Sequence, residues 1–451
     1  MTSVEGLGPN AGEHAKGGVN PPVFPKKTAS PTGPAAKQSY PWSSRVNSLL
    51  MRKIDRWLGV PLCWLCTLGL RLAAWLGRVQ APQGAPRRIL VIELAEIGGL
   101  VVAYPALAHL RRRFPQAELY FLTFAGGQGI LDLLGLIDRQ HQVIIRPDGL
   151  ITFLADTLAA IRRMRQLGID ATINLETFAR FSTLLAFFSG AGRRVGFDRF
   201  HDEGRYLGGL ITHRVIYNPH RHAAQTFLTL VEALAEPADA EPRAKVSLEA
   251  LSLELPRLQT SPQAAQVIED KLKEHYPALA PGQRLVLINP NASDLVPVRR
   301  WPDAYFLQLA LGLLEDPDLL VVLTGTAPER PAAEVLRLAL ESPRVLNLAG
   351  ATTLPQLIDL YNRASLLITN DSGPAHFASL TGLAVLVLFG PETPAIYGPL
   401  GPGVRVLYRG LACSPCVSAY NQKLSPCADN RCLKQITPAE VLEKARELLA
   451  G

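Results

Sequence analysis

Cysteine is scarce in this chain, six in 451 residues, which excludes a fold built on disulfides. Charge is sparse too: Asp, Glu, Lys and Arg make up 19% of the residues, against 48% hydrophobic types. That balance excludes a wholly disordered chain, because there is ample apolar surface to bury. No signal-peptide pattern stands at the amino terminus, since the first apolar run begins after residue 45. At roughly 150 residues per domain the length allows about three domains, with two larger ones the more natural division.

The net charge is +7, and its location decides what it means. Residues 1–80 hold ten basic and three acidic side chains and so carry the whole excess; the other 371 residues have 36 of each sign. The body needs no polyanionic partner, and no nucleic acid is expected. Residues 1–44 are expected to be a disordered tail, because residues 1–40 contain six Pro and six Gly without apolar periodicity. Residues 45–82 are expected to be a hydrophobic helical segment whose centre, Trp57 to Gly77, is 21 residues long. That length could span a bilayer, but Pro61 and Arg71 interrupt it. At about 100° per residue Trp57, Trp64 and Trp75 share one edge, suited to a membrane interface. Interfacial attachment is the favoured expectation; packing on the protein's own body and a true span are the alternatives.

From Arg87 the pattern changes. Strands are expected at 89–94, 119–124, 170–174 and 194–197, with a Gly98-Gly99 turn after the first and helices at 151–167 and 179–189. Residues 235–283, rich in Ala, Pro, Glu and Gln, read as a linker with a short helix. A second series follows, with strands at 285–289, 319–324, 345–348, 366–369 and 384–389 separated by helices. Alternating strands and helices imply parallel sheets covered on both faces. The expected fold class is α/β, two Rossmann-like doubly wound domains (83–234 and 284–451) facing a cleft.

The chemistry concentrates at the carboxyl ends of strands in the second series. Leu366–Pro391 runs from a buried strand through Asn370-Asp371-Ser372-Gly373 into a helix with Pro374 at its start and His376 one turn in. Asp371 or Ser372 can cap that helix, Gly373 admits a close ligand, and the helix start favours phosphate. An ordinary capped helix with a packed histidine fits the same residues. Three further segments leave strand ends of one parallel sheet: 289–302 with Arg299 and Arg300, Thr324–Glu329, and Phe389–Glu392. They should converge on one crevice, where an arginine can neutralise a diphosphate and a carboxylate can accept ribose hydroxyls.

These residues carry a resemblance. The RRWP turn, TGTAPE, the NDSGPAH box, FGPETP and the cysteine-bearing tail look like the carboxyl half of glycosyltransferase family 9, the lipopolysaccharide heptosyltransferases. RILVIELAEIGG and SGAGRRVGFDR extend the likeness to the amino half, over about residues 86–451. The resemblance implies a GT-B architecture and metal-independent, inverting transfer from a nucleotide-diphosphate sugar of ADP-heptose type, with no cofactor required for catalysis. The acceptor would be a lipopolysaccharide-type lipid-linked saccharide at the cytoplasmic face of the inner membrane. It would set the donor against Asp371, Ser372, Gly373 and His376, with Arg299 as the phosphate contact and Glu329 on the ribose. The family's first βα turn usually reads Gly-Asp, that aspartate being the presumed general base. Here Gly99 occupies its position and Glu93 replaces a commonly basic residue. Glu96 in the same turn is the nearest replacement base, and Glu93 is second. A non-catalytic relative that binds nucleotide sugar or glycan is therefore the rival reading, and an epimerase or hydrolase on the same fold is another.

Two smaller motifs remain. Asp316-Pro317-Asp318 spells the motif of metal-dependent transferases of another fold, but between a helix and a strand it reads as a turn. Cys413, Cys416, Cys427 and Cys432 could hold a structural zinc, stay reduced, or pair as disulfides in an oxidising compartment. Cys63 and Cys66, inside an apolar helix, read as buried small hydrophobes.

Overall fold

Short runs of Val, Ile and Leu build two six-stranded sheets in which every pairing is parallel. The computed structural model describes residues 55, 57–78, 84–94, 97–201, 204–237, 243–293 and 296–450. The expected tail, residues 1–44, lies outside them. All the described residues fall in one compact unit, Tyr40–Gly451.

The first sheet contains β1 (Arg88–Ile92), β2 (Glu118–Phe124), β3 (Gln142–Ile145), β4 (Ala171–Asn174), β5 (Arg193–Asp198) and β6 (His213–Ile216), in the order β3-β2-β1-β4-β5-β6. The second contains β7 (Arg284–Asn289), β8 (Leu319–Leu323), β9 (Val345–Asn347), β10 (Leu366–Asn370), β11 (Ala384–Phe389) and β12 (Val404–Tyr408), in the order β12-β11-β10-β7-β8-β9. Both are doubly wound, and the winding reverses between β1 and β4 in one and between β7 and β10 in the other. The central strands are buried on both faces, which is why they read as unbroken apolar runs.

Three strands escape the sequence pattern. β3 and β6 are four residues long, and β6 alternates buried with exposed positions. β12 is an edge strand with a mixed pattern. The helix after β1 is also broken: Ile97–Val102 ends at Ala103, and Tyr104–Arg113 restarts with Pro105 in its first turn. Residues 244–258 string Leu248, Leu251, Leu253, Leu255 and Leu258 against the core, and the Leu258 amide donates to Leu380 O at 2.7 Å. Helix Pro262–His275 follows, capped by Ser261. Asp316–Asp318 is a turn, with the Asp318 amide on the Asp316 carboxylate at 2.9 Å.

Of the hydrophobic segment, helix Gly59–Trp75 is described. A narrow stripe of Gly59, Cys63 and Thr67 packs on helix Arg180–Phe188 and on Leu210. Thr67 Oγ1 donates to Cys63 O (2.6 Å) and accepts from the Gly209 amide (2.9 Å), while Asp55 binds both Arg180 and Arg205. Burial pushes the Cys63 thiol up to about 11, as a packed small hydrophobe requires. Among the described residues no helix is long and apolar enough to cross a membrane.

His213, on β6, is buried with Nδ1 on the Thr212 hydroxyl at 2.9 Å. Desolvation, helped by Arg243 and Arg193, pushes its imidazole down to about 4. The folded state thus holds it neutral, and the unfolded chain binds its proton more readily. Its contribution is complete above about pH 6.5 and is lost as pH falls toward 4, about 3 kcal/mol in all. Urea unfolding at pH 7.5 and 4.5 should show this loss, and His213→Gln should flatten it by that amount.

Candidate functional site

The reversal between β7 and β10 opens a crevice at the carboxyl edge of the second sheet. Buried Asn370, ending β10, holds its walls. Its Oδ1 accepts from the Trp301 amide (3.0 Å), and its Nδ2 donates to Pro290 O (2.9 Å) and Asn291 O (3.3 Å). Trp301 is fully buried, with Nε1 donating to Ile436 O at 2.8 Å. From the cysteine-bearing tail Asn430 donates to Val298 O and Arg300 O, so the turn carrying Arg299 is fixed from both sides.

Arg299 meets two carboxylates. Its Nη2 binds Glu392 closely, and its Nε lies 3.4 Å from Asp371 Oδ2. Lys423 Nζ is 3.9 Å from Glu392 Oε1 and 4.7 Å from the Tyr397 ring centre. Glu392 is only 2% exposed and Asp371 6%, so these charges are oriented by each other rather than by water. Two cations balance two carboxylates. Glu392 ends one of the expected strand-end segments but had no role assigned to it, and Lys423 is not singled out by the sequence.

Ser372 is the residue before helix Gly373–Ala378, but its side chain does not cap that helix. The Ser372 hydroxyl turns back to Asn370 O at 3.1 Å and Thr369 Oγ1 at 3.3 Å. The expected capping by Ser372 is therefore absent, because its hydroxyl is drawn to the strand end, while Asp371 Oδ2 lies toward Arg299. Glu329, beyond β8, closes a capping box: its Oε2 accepts from the Thr326 amide (2.7 Å) and hydroxyl (2.8 Å). Gly325 lies against both Glu329 and Asn291, which links this carboxylate to the Asn370 junction.

The first sheet supplies the facing wall. After β1 the Leu94 amide donates to Glu176 Oε1 at 2.8 Å, and Glu93 is buried. Glu96 lies outside the described residues. Gly98, in the first turn of helix Ile97–Val102, faces the other half: a Cβ there would sit 2.9 Å from His376 Cδ2 and 3.6 Å from Gly373 Cα. Gly99 carries no side chain where a base would stand. Two more contacts join the halves. His222 Nε2 pairs with Gly398 O at 2.8 Å, its imidazole held below the usual range by burial. Tyr420 stacks on Phe178 at 5.7 Å and meets Tyr217 edge-on at 5.6 Å.

The zinc set is not formed. Among the described residues no group of three or more His, Cys, Asp or Glu could hold a metal ion, and all four cysteines of the tail are free thiols. Their local contacts differ: Cys416 accepts from Ser425, Cys427 donates to Asp429 O, Cys432 is buried beside Gly390, and Cys413 is exposed.

Residues 157–425 match the family model for glycosyltransferase family 9 (heptosyltransferase), well over half of the chain. A lipooligosaccharide heptosyltransferase 2 of Campylobacter jejuni is 31% identical over 182 residues, covering 40% of this chain and 56% of that relative. The chain thus matches little more than half the length of that protein. The enzyme of the same name from Haemophilus ducreyi is 26% identical across 80% of this chain and 99% of its own. Among solved structures, the Escherichia coli ADP-heptose lipopolysaccharide heptosyltransferase II has a TM-score of 0.62 at 22% identity, covering 80% of this chain and 98% of that one. A family 9 transferase from Veillonella parvula reaches 0.63 at 21%, covering 82% and 99%. These likenesses fix the two-sheet body as a GT-B fold.

Alanine at an open helical glycine normally stabilises by about 1 kcal/mol. At Gly98 it should instead cost about 1–3 kcal/mol, because the imidazole must move. In a His376→Ala background the same change should cost almost nothing, as thermal unfolding of the four proteins would show. Equal losses in both backgrounds would remove His376 as the obstacle.

Proposed function

The chain belongs to glycosyltransferase family 9, and on that footing we propose that it transfers a sugar, heptose or similar, from a nucleotide diphosphate to a lipid-linked saccharide with inversion. The observation that supports this most is the crevice where two reversal points meet, with Arg299 held between Asp371 and Glu392 beside the start of helix Gly373–Ala378. The donor diphosphate would lie along Asp371, Ser372, Gly373 and His376. Arg299 has five N–H donors, more than two carboxylates consume, and would share them with the leaving group. Glu329 would take the ribose through the oxygen that its capping box leaves over.

Inversion needs one displacement. A base removes the acceptor's hydroxyl proton, the oxygen attacks the anomeric carbon from the face opposite the diphosphate, and the diphosphate departs with the bonding pair. Glu96 is the proposed base, with Glu93 second. Both follow β1 in sequence, and Gly98, just behind them, faces the half that would hold the donor. No metal is needed for these steps on this reading. A binder that has lost transfer is the second reading, and the absence of a carboxylate at Gly99 is what favours it. The acceptor is lipid-linked, so the protein would work at the cytoplasmic face of the inner membrane, attached through residues 45–82 with helix Gly59–Trp75 in the lipid interface.

Purified protein with a panel of nucleotide-diphosphate sugars and a lipid-saccharide extract should yield product of inverted configuration. Glu96→Gln should cut turnover by about 10²–10⁴ without weakening the donor. The pair Asp371→Ala, Arg299→Ala should abolish donor binding. Donor binding without turnover, unchanged by Glu96→Gln, would favour the binder, and binding that survives the double change would remove this donor site.

A further inference from the structure

We propose that helix Leu150–Leu167 forms, together with helix Gly59–Trp75, one apolar face of the amino half that docks on an anionic lipid surface. The proposal rests on the membrane reading above and extends it to a part of the folded body.

Helix Leu150–Leu167 is turned outward in an unusual way. Its inner side, Phe153, Ala160 and Met164, closes the core against β1, β2 and β3. Its outer side should then be polar. Instead Ile151 is 85% exposed, and Leu150, Leu154 and Leu158 are each more than half exposed. At about 100° per residue Ile151, Leu154 and Leu158 fall on one stripe, which continues into Arg162. Helix Gly59–Trp75 shows the same character. Trp64, Leu68 and Leu72 are at least half exposed on the side away from its Gly59–Cys63–Thr67 stripe, and Trp75 is 81% exposed. Large apolar side chains left exposed in a row along a helix mark an interaction site.

Both helices lie on the same side of the first sheet. Helix Arg180–Phe188 covers that face beside Leu150–Leu167, with Phe153 and Phe181 rings 5.2 Å apart and Arg165 Nε donating to Phe188 O at 2.8 Å. Helix Gly59–Trp75 packs on that same middle helix through Cys63 and Leu184. The two helices that carry exposed apolar stripes therefore both pack against helix Arg180–Phe188.

Charge selects the occupant. The two helices hold a single acidic side chain, Asp156, and its carboxylate is engaged by Arg146 at 2.8 Å. The basic ones, Arg71, Arg162, Arg163 and Arg165, are exposed. A second copy would have to supply acidic partners for these arginines, and the one acidic side chain of the two helices, Asp156, is already engaged. An anionic lipid surface meets apolar side chains with acyl chains and arginines with phosphates.

Flotation of the full chain with vesicles of equal phosphatidylglycerol and phosphatidylcholine tests this. Two triple variants alter only exposed positions: Ile151→Glu, Leu154→Glu, Leu158→Glu, and Trp64→Glu, Leu68→Glu, Leu72→Glu. Each should keep the native circular dichroism and lower the vesicle partition by at least about tenfold. Release by the second triple alone would overturn the two-helix face and leave the membrane reading intact. Wild-type binding by both triples, or a wild type that never floats, would overturn both. A wild-type dimer by light scattering, split by the first triple with flotation unchanged, would show that a second copy covers the stripe.

Discussion

The imidazole of His376 occupies the space that any side chain at residue 98 would need. That contact sets how closely the two halves meet, and the remaining geometry of the cleft follows from it. Each sheet reverses its winding at its centre, so each leaves one crevice at its carboxyl edge. The helix that starts behind β1 and the helix that starts behind β10 are the lips of these two crevices. Glycine at 98 lets them touch, and His222 and Tyr420 tie the halves together at two further points. On the proposed reading, a donor held by one lip would be presented to an acceptor held by the other.

The charges in the crevice are arranged around the same junction. Arg299 and Lys423 face Asp371 and Glu392, and the four sum to zero. A guanidinium paired in this way costs little rotamer entropy when an anion arrives, since its orientation is already set. Its positive charge is also partly compensated. On the proposed reading, a diphosphate competes with Asp371 for Arg299, and affinity comes from several modest contacts rather than one strong cation.

Much of this was legible in the residues. Long apolar strands such as β7, β8, β10 and β11 announce themselves because burial on both faces leaves no polar position. Their shared parallel direction is what gathers Arg299, Glu329 and Asp371 at one edge. β3, β6 and β12 were not legible, being short or half exposed, so tertiary pairing decided them. Nor was the Arg299–Glu392 pair, because a contact across 93 residues of chain leaves no local pattern; Ser372 took bonds to Asn370 and Thr369 that compete locally with a cap. The four tail cysteines had nearly suitable zinc spacing, yet in the fold two of them, Cys416 and Cys427, are engaged in local hydrogen bonds. Spacing sets which ligands are close in sequence, and the loop's own hydrogen bonds set where the thiols point.

Amide hydrogen exchange of the full chain, with and without a nucleotide-diphosphate sugar, tests most directly whether the two reversal points form one donor site. Protection should rise together in residues 289–301, in 370–378 and, across the cleft, in 97–102. Protection confined to one half, or lying away from both strand-end crevices, would contradict the account.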